Sequence, residues 1–389
     1  GSGRVGGDGV MAKLGEVCTI VSGSTPKTSV TSYWDGNIKW ITPAELNEDT
    51  FYIMDSVRHI TEEGKEKTGL SYLPTGTVIL SSRAPIGKTA IAGCKMCCNQ
   101  GFKNLICSDA IYNEYLYFFL KSKTDYLNSL GRGATFKEIS KSIVESIEIP
   151  LPEVNQQKEI AEKFKKLEQL ISLRKQQLAK LDELVKARFV EMFGDPADNV
   201  NNLPASPMTA ICQIIDGDRG KNYPKQEEFS DSGFCLFLNA KNVTAQGFSF
   251  ENCTYITEEK DALLRNGKLC RGDVVLTTRG TIGNLAFYDT SVPYENIRIN
   301  SGMVILRMNK QVVSEIFFIE QFKMQLDSIK SRIASGSAQP QLPISTMNKI
   351  EMILPPIELQ NQFAAFVERV SQQKQTVQQS LEKLELMKK

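Results

Sequence analysis

The second half of this chain restates the first, and that repetition restricts the fold more than any single motif does. Gly76-Thr-Val-Ile-Leu-Ser-Ser-Arg-Ala-Pro-Ile-Gly-Lys-Thr-Ala-Ile91 aligns with Gly272-Asp-Val-Val-Leu-Thr-Thr-Arg-Gly-Thr-Ile-Gly-Asn-Leu-Ala-Phe287, at an offset of 196 that places Arg279 on Arg83. His59-Ile-Thr-Glu-Glu63 aligns in the same order with Tyr255-Ile-Thr-Glu-Glu259, and Ile38-Lys-Trp-Ile-Thr42 with Cys235-Leu-Phe-Leu-Asn239. Near the ends of the halves, Ile147-Glu-Ile-Pro-Leu-Pro152 aligns with Ile350-Glu-Met-Ile-Leu-Pro355 at an offset of 203. Loop insertions in a duplicated domain produce such a drift, so every motif must be judged in both copies.

That test removes the most suggestive motif. Ser82 to Thr89 falls one residue short of a phosphate-binding loop, with Gly87, Lys88 and Thr89 in place and Ser82 where the first glycine belongs. The copy has Asn284 and Leu285 in place of Lys88 and Thr89, and Ala90-Ile-Ala-Gly-Cys94 lacks the helical periodicity that a phosphate loop needs behind it. The stretch reads as strand, polar turn, strand. Cys94, Cys97, Cys98 and Cys107 resemble a zinc set but have no second pair and no counterpart in the other half, so no metal is expected. His59, the only histidine, aligns with Tyr255, which excludes Ser/His/Asp or Cys/His catalysis. The nearest approach to an Asn/Asp-Pro-Pro-aromatic methyltransferase motif is Leu354-Pro-Pro-Ile357. No catalytic residue and no cofactor are expected of this chain.

A length of 389 residues with 41% hydrophobic and 23% charged side chains suits two globular domains. No apolar run approaches the roughly 20 residues of a membrane span. Nine scattered cysteines, an odd number, fit a reducing compartment. A cytoplasmic protein starting at Met11 is expected, with residues 1–10 an expression scar. The net charge of +1 requires that any nucleic-acid surface be built by segregating basic loops onto one face.

The predicted fold class is α+β, two tandem pseudo-symmetric domains each followed by a long helix. Short β-rich segments run from Leu14 to Leu105 and from Ile211 to Leu306, followed by helical stretches Tyr112 to Leu127 and Val313 to Ser328. A loop, a short strand and a Leu-Pro pair then precede a heptad-patterned helix. Its apolar seam is Ile160, Phe164, Leu167, Ile171, Leu178, Leu181 and Val185 in the first half, and Phe363, Val367, Val370, Val377, Leu381 and Leu384 in the second. Arg174 and Lys374 interrupt the two seams at neighbouring aligned positions, a device that fixes register. The seams predict an antiparallel coiled coil; the competing reading is that each helix covers only its own domain. The expected divisions are 11–155 (first domain), 156–193 (first helix), 194–207 (linker), 208–358 (second domain) and 359–389 (second helix).

The order domain, helix, domain, helix resembles the specificity subunit of type I restriction-modification systems over nearly the whole chain. The residues that carry the resemblance are Val21-Ser-Gly-Ser-Thr-Pro-Lys27 followed by Tyr33-Trp-Asp-Gly-Asn-Ile-Lys-Trp40, the Arg-x-x-Ile-Gly block in both halves, and Leu-Pro-x-x-x-x-Gln-x-x-Ile entering the helix. The resemblance implies a non-catalytic DNA reader with two target recognition domains held apart by the paired helices. It also implies as partners double-stranded DNA with a bipartite site, two adenine methyltransferase subunits and ATP-dependent restriction/translocase subunits, which would bring S-adenosylmethionine, ATP and Mg. A free chain could dimerise through helix surfaces the partners would cover. About 35 helical residues span about 50 Å, enough to hold two domains about one turn of B-DNA, 34 Å, apart.

Base edges are read by Arg, Lys, Asn and Gln, and phosphates by basic and hydroxyl groups. The loops of the first half offer Ser24, Thr25, Lys27, Thr42, Arg83, Lys88, Lys103 and Arg132; those of the second offer Arg219, Lys221, Asn239, Lys241, Arg279, Asn284, Arg298, Gln339 and Gln341. Arg83 and Arg279, kept in both copies, suit phosphate or a structural turn; Lys88 and Asn284, which differ, suit bases. The looser match of Gly217-Asp-Arg-Gly-Lys221 to Gly23-Ser-Thr-Pro agrees with halves that read different sequences. The alternative from another class is a protein-interaction scaffold without DNA readout.

Overall fold

The computed structural model describes residues 10–132, 137–333 and 341–388. The chain divides into a first unit running to Leu173, rejoined by the chain from Leu381 onward, and a second from Arg174 to Ser380.

In the first unit Cys18–Ser22, Phe102–Cys107, Val78–Ser81 and Thr89–Ala92 form successive antiparallel neighbours, and Tyr52–Ile53 adds a parallel edge. A smaller sheet places Trp34–Ile41 between antiparallel Arg58–Ile60 and parallel Cys97–Cys98. The second unit repeats both sheets. Cys212–Asp216, Met303–Met308, Val274–Thr277 and Leu285–Phe287 form the larger one, and Tyr255–Ile256, Cys235–Leu238 and Ile297–Ile299 the smaller. Register repeats as well: Ile38 opposes Ile60 as Cys235 opposes Ile256, and Ser81 opposes Phe102 as Thr277 opposes Met303. Because side chains alternate faces along a strand, one register dictates one core.

The near phosphate loop lies between two strands, Val78–Ser81 and Thr89–Ala92, as expected. Its copy joins Val274–Thr277 to Leu285–Phe287. The Ser81 hydroxyl accepts from Lys88 N at 2.9 Å and donates to Pro85 O at 2.7 Å. Thr277 Oγ1 likewise accepts from Asn284 N at 3.0 Å and donates to Thr281 O. One hydroxyl thus closes each turn, which explains a Ser in one half and a Thr in the other.

The helix expected over Tyr112 to Leu127 breaks at Lys123 into Asn113–Ser122 and Thr124–Leu130; its counterpart runs from Glu315 to Ile333. The long helices are α1, Val154–Phe193, and α2, Ile357–Lys388. With 40 residues, α1 is about 60 Å long.

A buried glutamine anchors the start of each long helix. Gln157 Oε1 accepts from Tyr112 N at 2.7 Å, and its Nε2 donates to Ala110 O and Pro152 O. Gln360 Oε1 accepts from Ser314 N at 3.0 Å, and its Nε2 donates to Val312 O and Pro355 O. The Gln of Leu-Pro-x-x-x-x-Gln, itself fully buried, therefore ties three backbone groups of the loop and the helix start together in each half.

Both readings of the helical seam hold, in different stretches. Ile160 and Phe164 cover the first unit's own core of Leu116, Phe118, Leu120 and Ile149. In the second unit Val185, Phe189 and Phe193 of α1 share a core with Phe317, Phe363, Val367 and Val370. The Phe189 ring lies 5.4 Å from that of Phe317 and 5.3 Å from that of Phe363. The helices run antiparallel: within the second unit Asp182 meets Lys374 at 2.5 Å and Phe189 meets Phe363, and within the first Glu168 meets Lys388 at 2.9 Å. The interrupting Lys374 therefore reaches a carboxylate at the seam's edge. The seam also extends past Val185 to Phe189 and Phe193. Among the described residues no helix is long and apolar enough to cross a membrane.

Candidate nucleic-acid interface

Polar loops meet around one short turn in each unit. In the first, Ser24 N donates to Cys98 O at 3.0 Å and Thr25 Oγ1 donates to Gln100 Oε1, so the loop of residues 23–27 lies along residues 98–100. Gly23 is required there, because an added Cβ would stand 1.9 Å from Asn99 O. Ser82 N donates to Gly101 O at 2.7 Å, and Ile139 N to Ser82 O at 2.9 Å, which brings in the hairpin turn and the segment after residue 136. Lys88 Nζ donates to Pro43 O at 3.1 Å and Leu46 O at 2.7 Å, which fastens the turn to the Thr42 loop.

The second unit repeats the arrangement with other side chains. Gly217 is pressed on the turn of residues 300–302, where a Cβ would stand 2.3 Å from Asn300 O. Thr278 N donates to Gly302 O and Leu342 N to Thr278 O, both at 2.9 Å. Asn284 Nδ2 donates to Val243 O at 2.9 Å, performing the same fastening as Lys88. Arg219 Nη2 reaches Asp216 at 3.1 Å and Ser301 O at 3.2 Å.

Each cluster gathers most of the sequence candidates of its half, with differing availability. Lys27, Arg83, Arg132, Arg219, Lys221, Lys241, Arg279 and Gln341 are exposed, and Ser24, Thr25, Thr42 and Asn239 half-buried. Thr42 and Asn239 cap equivalent short 3-10 turns: Glu45 accepts from Thr42 N and Oγ1, while Asn239 Oδ1 accepts from Lys241 N. Lys88 and Asn284, expected to face bases because they differ, are half-buried and already occupied by carbonyls. Gln339 lies outside the described residues.

Two expectations of exposed loop bases require correction. Arg298, only 5% exposed, is a strand residue of Ile297–Ile299 that occupies the register position held by buried Cys97 in the first half. Its guanidinium binds the Asp261 carboxylate and the carbonyls of Asp261, Leu264 and Asn266, leaving little to offer a ligand. Burial alone would raise the Asp261 carboxyl, but Lys268 and Arg298 hold it below the usual carboxylate range. Lys103, also buried, donates to Glu138 Oε1 at 3.2 Å. It balances the same carboxylate that binds Arg83 Nε at 3.0 Å.

Asn99 and Asn300, with Gly101 and Gly302, organise the two turns, and Gln100 and Ser301 stand at their tips. Sequence reasoning passed over all six, although Asn-x-Gly recurs at the same place in both halves. Among the described residues no group of three or more His, Cys, Asp or Glu side chains could hold a metal.

The family model described as type I restriction modification DNA specificity domain matches this chain twice, over residues 8–183 and 208–386. The type I restriction enzyme MjaIX specificity subunit of Methanocaldococcus jannaschii is 29% identical, over 94% of this chain and 87% of that one. The MjaVIII specificity subunit of the same organism is 22% identical over 99% and 91%. The solved S subunit of a type I restriction-modification system from M. genitalium aligns with a TM-score of 0.56 and 17% identity, over 99% of this chain and 96% of that one. A chain from a structure titled for complex assembly and conformational transition of the type I R-M system aligns at 0.64 and 16%, over 98% and 96%.

Proposed function

Since the chain belongs to the family of type I restriction-modification specificity subunits, we propose that it reads a bipartite DNA target and catalyses nothing itself. Residues 11–155 and 208–358 are the two target recognition domains, and 156–193 and 359–389 the spacer helices, with 194–207 as the linker. Each domain reads one half-site through its loop cluster, and the helices set the unread gap. Two adenine methyltransferase subunits and restriction/translocase subunits dock on the chain in the cytoplasm and supply S-adenosylmethionine and ATP chemistry.

The observation that carries this reading is that one loop cluster, built on the same backbone bonds, occurs twice with different side chains. Exposed Lys27, Arg83 and Arg132 in one copy, and Arg219, Lys221, Lys241 and Arg279 in the other, supply basic side chains to the clusters, with Arg83 and Arg219 paired to Glu138 and Asp216. Methylation mapping in cells carrying this gene with its neighbouring methyltransferase gene tests the reading. A bipartite adenine motif that disappears with this chain is expected; methylation independent of the chain contradicts it.

A further inference from the structure

We propose that the tip residue of the central turn, Gln100 in the first half and Ser301 in the second, determines one base pair of its own half-site; this rests on the DNA-reading function proposed above. The turns are built alike. Asn99 N donates to Ile41 O at 3.0 Å, and Asn300 N to Leu238 O at 3.2 Å. Gly101 N donates to Asn99 Oδ1 and Gly302 N to Asn300 Oδ1, both at 2.9 Å. The far ends are fixed by Ser82 N on Gly101 O and Thr278 N on Gly302 O. Backbone bonds thus hold both flanks in place, while the residue between them changes from amide to hydroxyl.

The tip sits where the candidate loops converge. Thr25 donates to the Gln100 side-chain oxygen, and Arg219 to the Ser301 carbonyl. Gln100 is exposed, and its Nε2 makes no hydrogen bond among the described residues. An amide held on a rigid turn can pair with adenine through both N6 and N7, whereas a hydroxyl makes one less selective contact. Gln100 therefore discriminates at its position more sharply than Ser301 does at its own.

Methylation mapping compares the parent chain with Gln100→Ser and Ser301→Gln, both expressed with the neighbouring methyltransferase gene. The expected result for Gln100→Ser is about a tenfold loss of discrimination at one position of one half-site, the other half-site being unchanged. Ser301→Gln should alter one position of the opposite half-site only. An unchanged motif in both variants overturns the proposal. Uniform weakening without a change in base preference also overturns it, because that is the signature of a phosphate contact. If the parent gives no chain-dependent motif, the DNA-reading function itself fails, which is a distinct outcome.

Discussion

Arg83 and Arg279 occupy the same place in the two copies of one hairpin, yet Arg83 faces a carboxylate where Arg279 faces a neutral amide residue. Arg83 is bound to Glu138, which also neutralises buried Lys103. In the second half Gln341 stands at the Glu138 position, next to the residue that donates to the hairpin, and Val304 stands at the Lys103 position beside the strand partner of Thr277. Arg279 is exposed and makes no side-chain bond among the described residues. A carboxylate within reach competes with any other anion for the same guanidinium, and among the described residues Arg279 has no such competitor. The duplicated backbone bonds fix where the loops go, and the side chains decide what each half presents.

The comparison has consequences that differ in size. The largest concerns the helices. Phe189→Ala should destabilise the second unit by about 3–5 kcal/mol, whereas Phe164→Ala, which truncates a half-buried ring, should cost the first unit less. Hydrogen exchange on the full chain measures each unit separately, and equal losses would break the distinction. Gln157→Ala and Gln360→Ala should each weaken their own unit by about 1–3 kcal/mol and by similar amounts, since both strand the same three backbone groups. A difference of more than about twofold would show that the anchors are not equivalent.

Glu138→Gln should make the first half resemble the second while leaving the Lys103 ammonium buried without its carboxylate, at a cost of about 1–3 kcal/mol. Burial alone would raise the Glu138 carboxyl, but Lys103 and Arg83 hold it below its ordinary value of 4.5. A depressed folded value means that the contribution is full above about pH 4.5 and is lost as pH falls through the folded value. Parent and variant stability curves should therefore converge in acid; a gap independent of pH would refute the assignment. The smallest effect is expected for Lys374→Ala, which removes an exposed ion pair with Asp182 and should shift stability by no more than about 1 kcal/mol.

The duplication, the hairpin at Arg83 and the two long helices were legible because alignment of one half on the other needs no structure. Other features were hidden by physics that a linear pattern does not record. Arg298 reads as a surface base by residue type, but strand register places it in a core beside Asp261. Lys88 and Asn284 differ chemically, which suggested base reading, yet each is fastened to a carbonyl of the neighbouring loop. Phe189 and Phe193 follow Val185 at two successive steps of four, which breaks the alternation of four and three, yet they continue the buried face of the helix into a domain core. Gln100 and Ser301 sit inside a recurring Asn-x-Gly, and the identical bonds around it show what that short repeat builds.

The central claim is that two separate readers are spaced by a helix, and removing one heptad from α1 between Ile160 and Val185 tests it most directly. Methylation mapping of that variant should show both half-sites unchanged and the gap between them altered. Changed half-sites with the original gap would contradict the account.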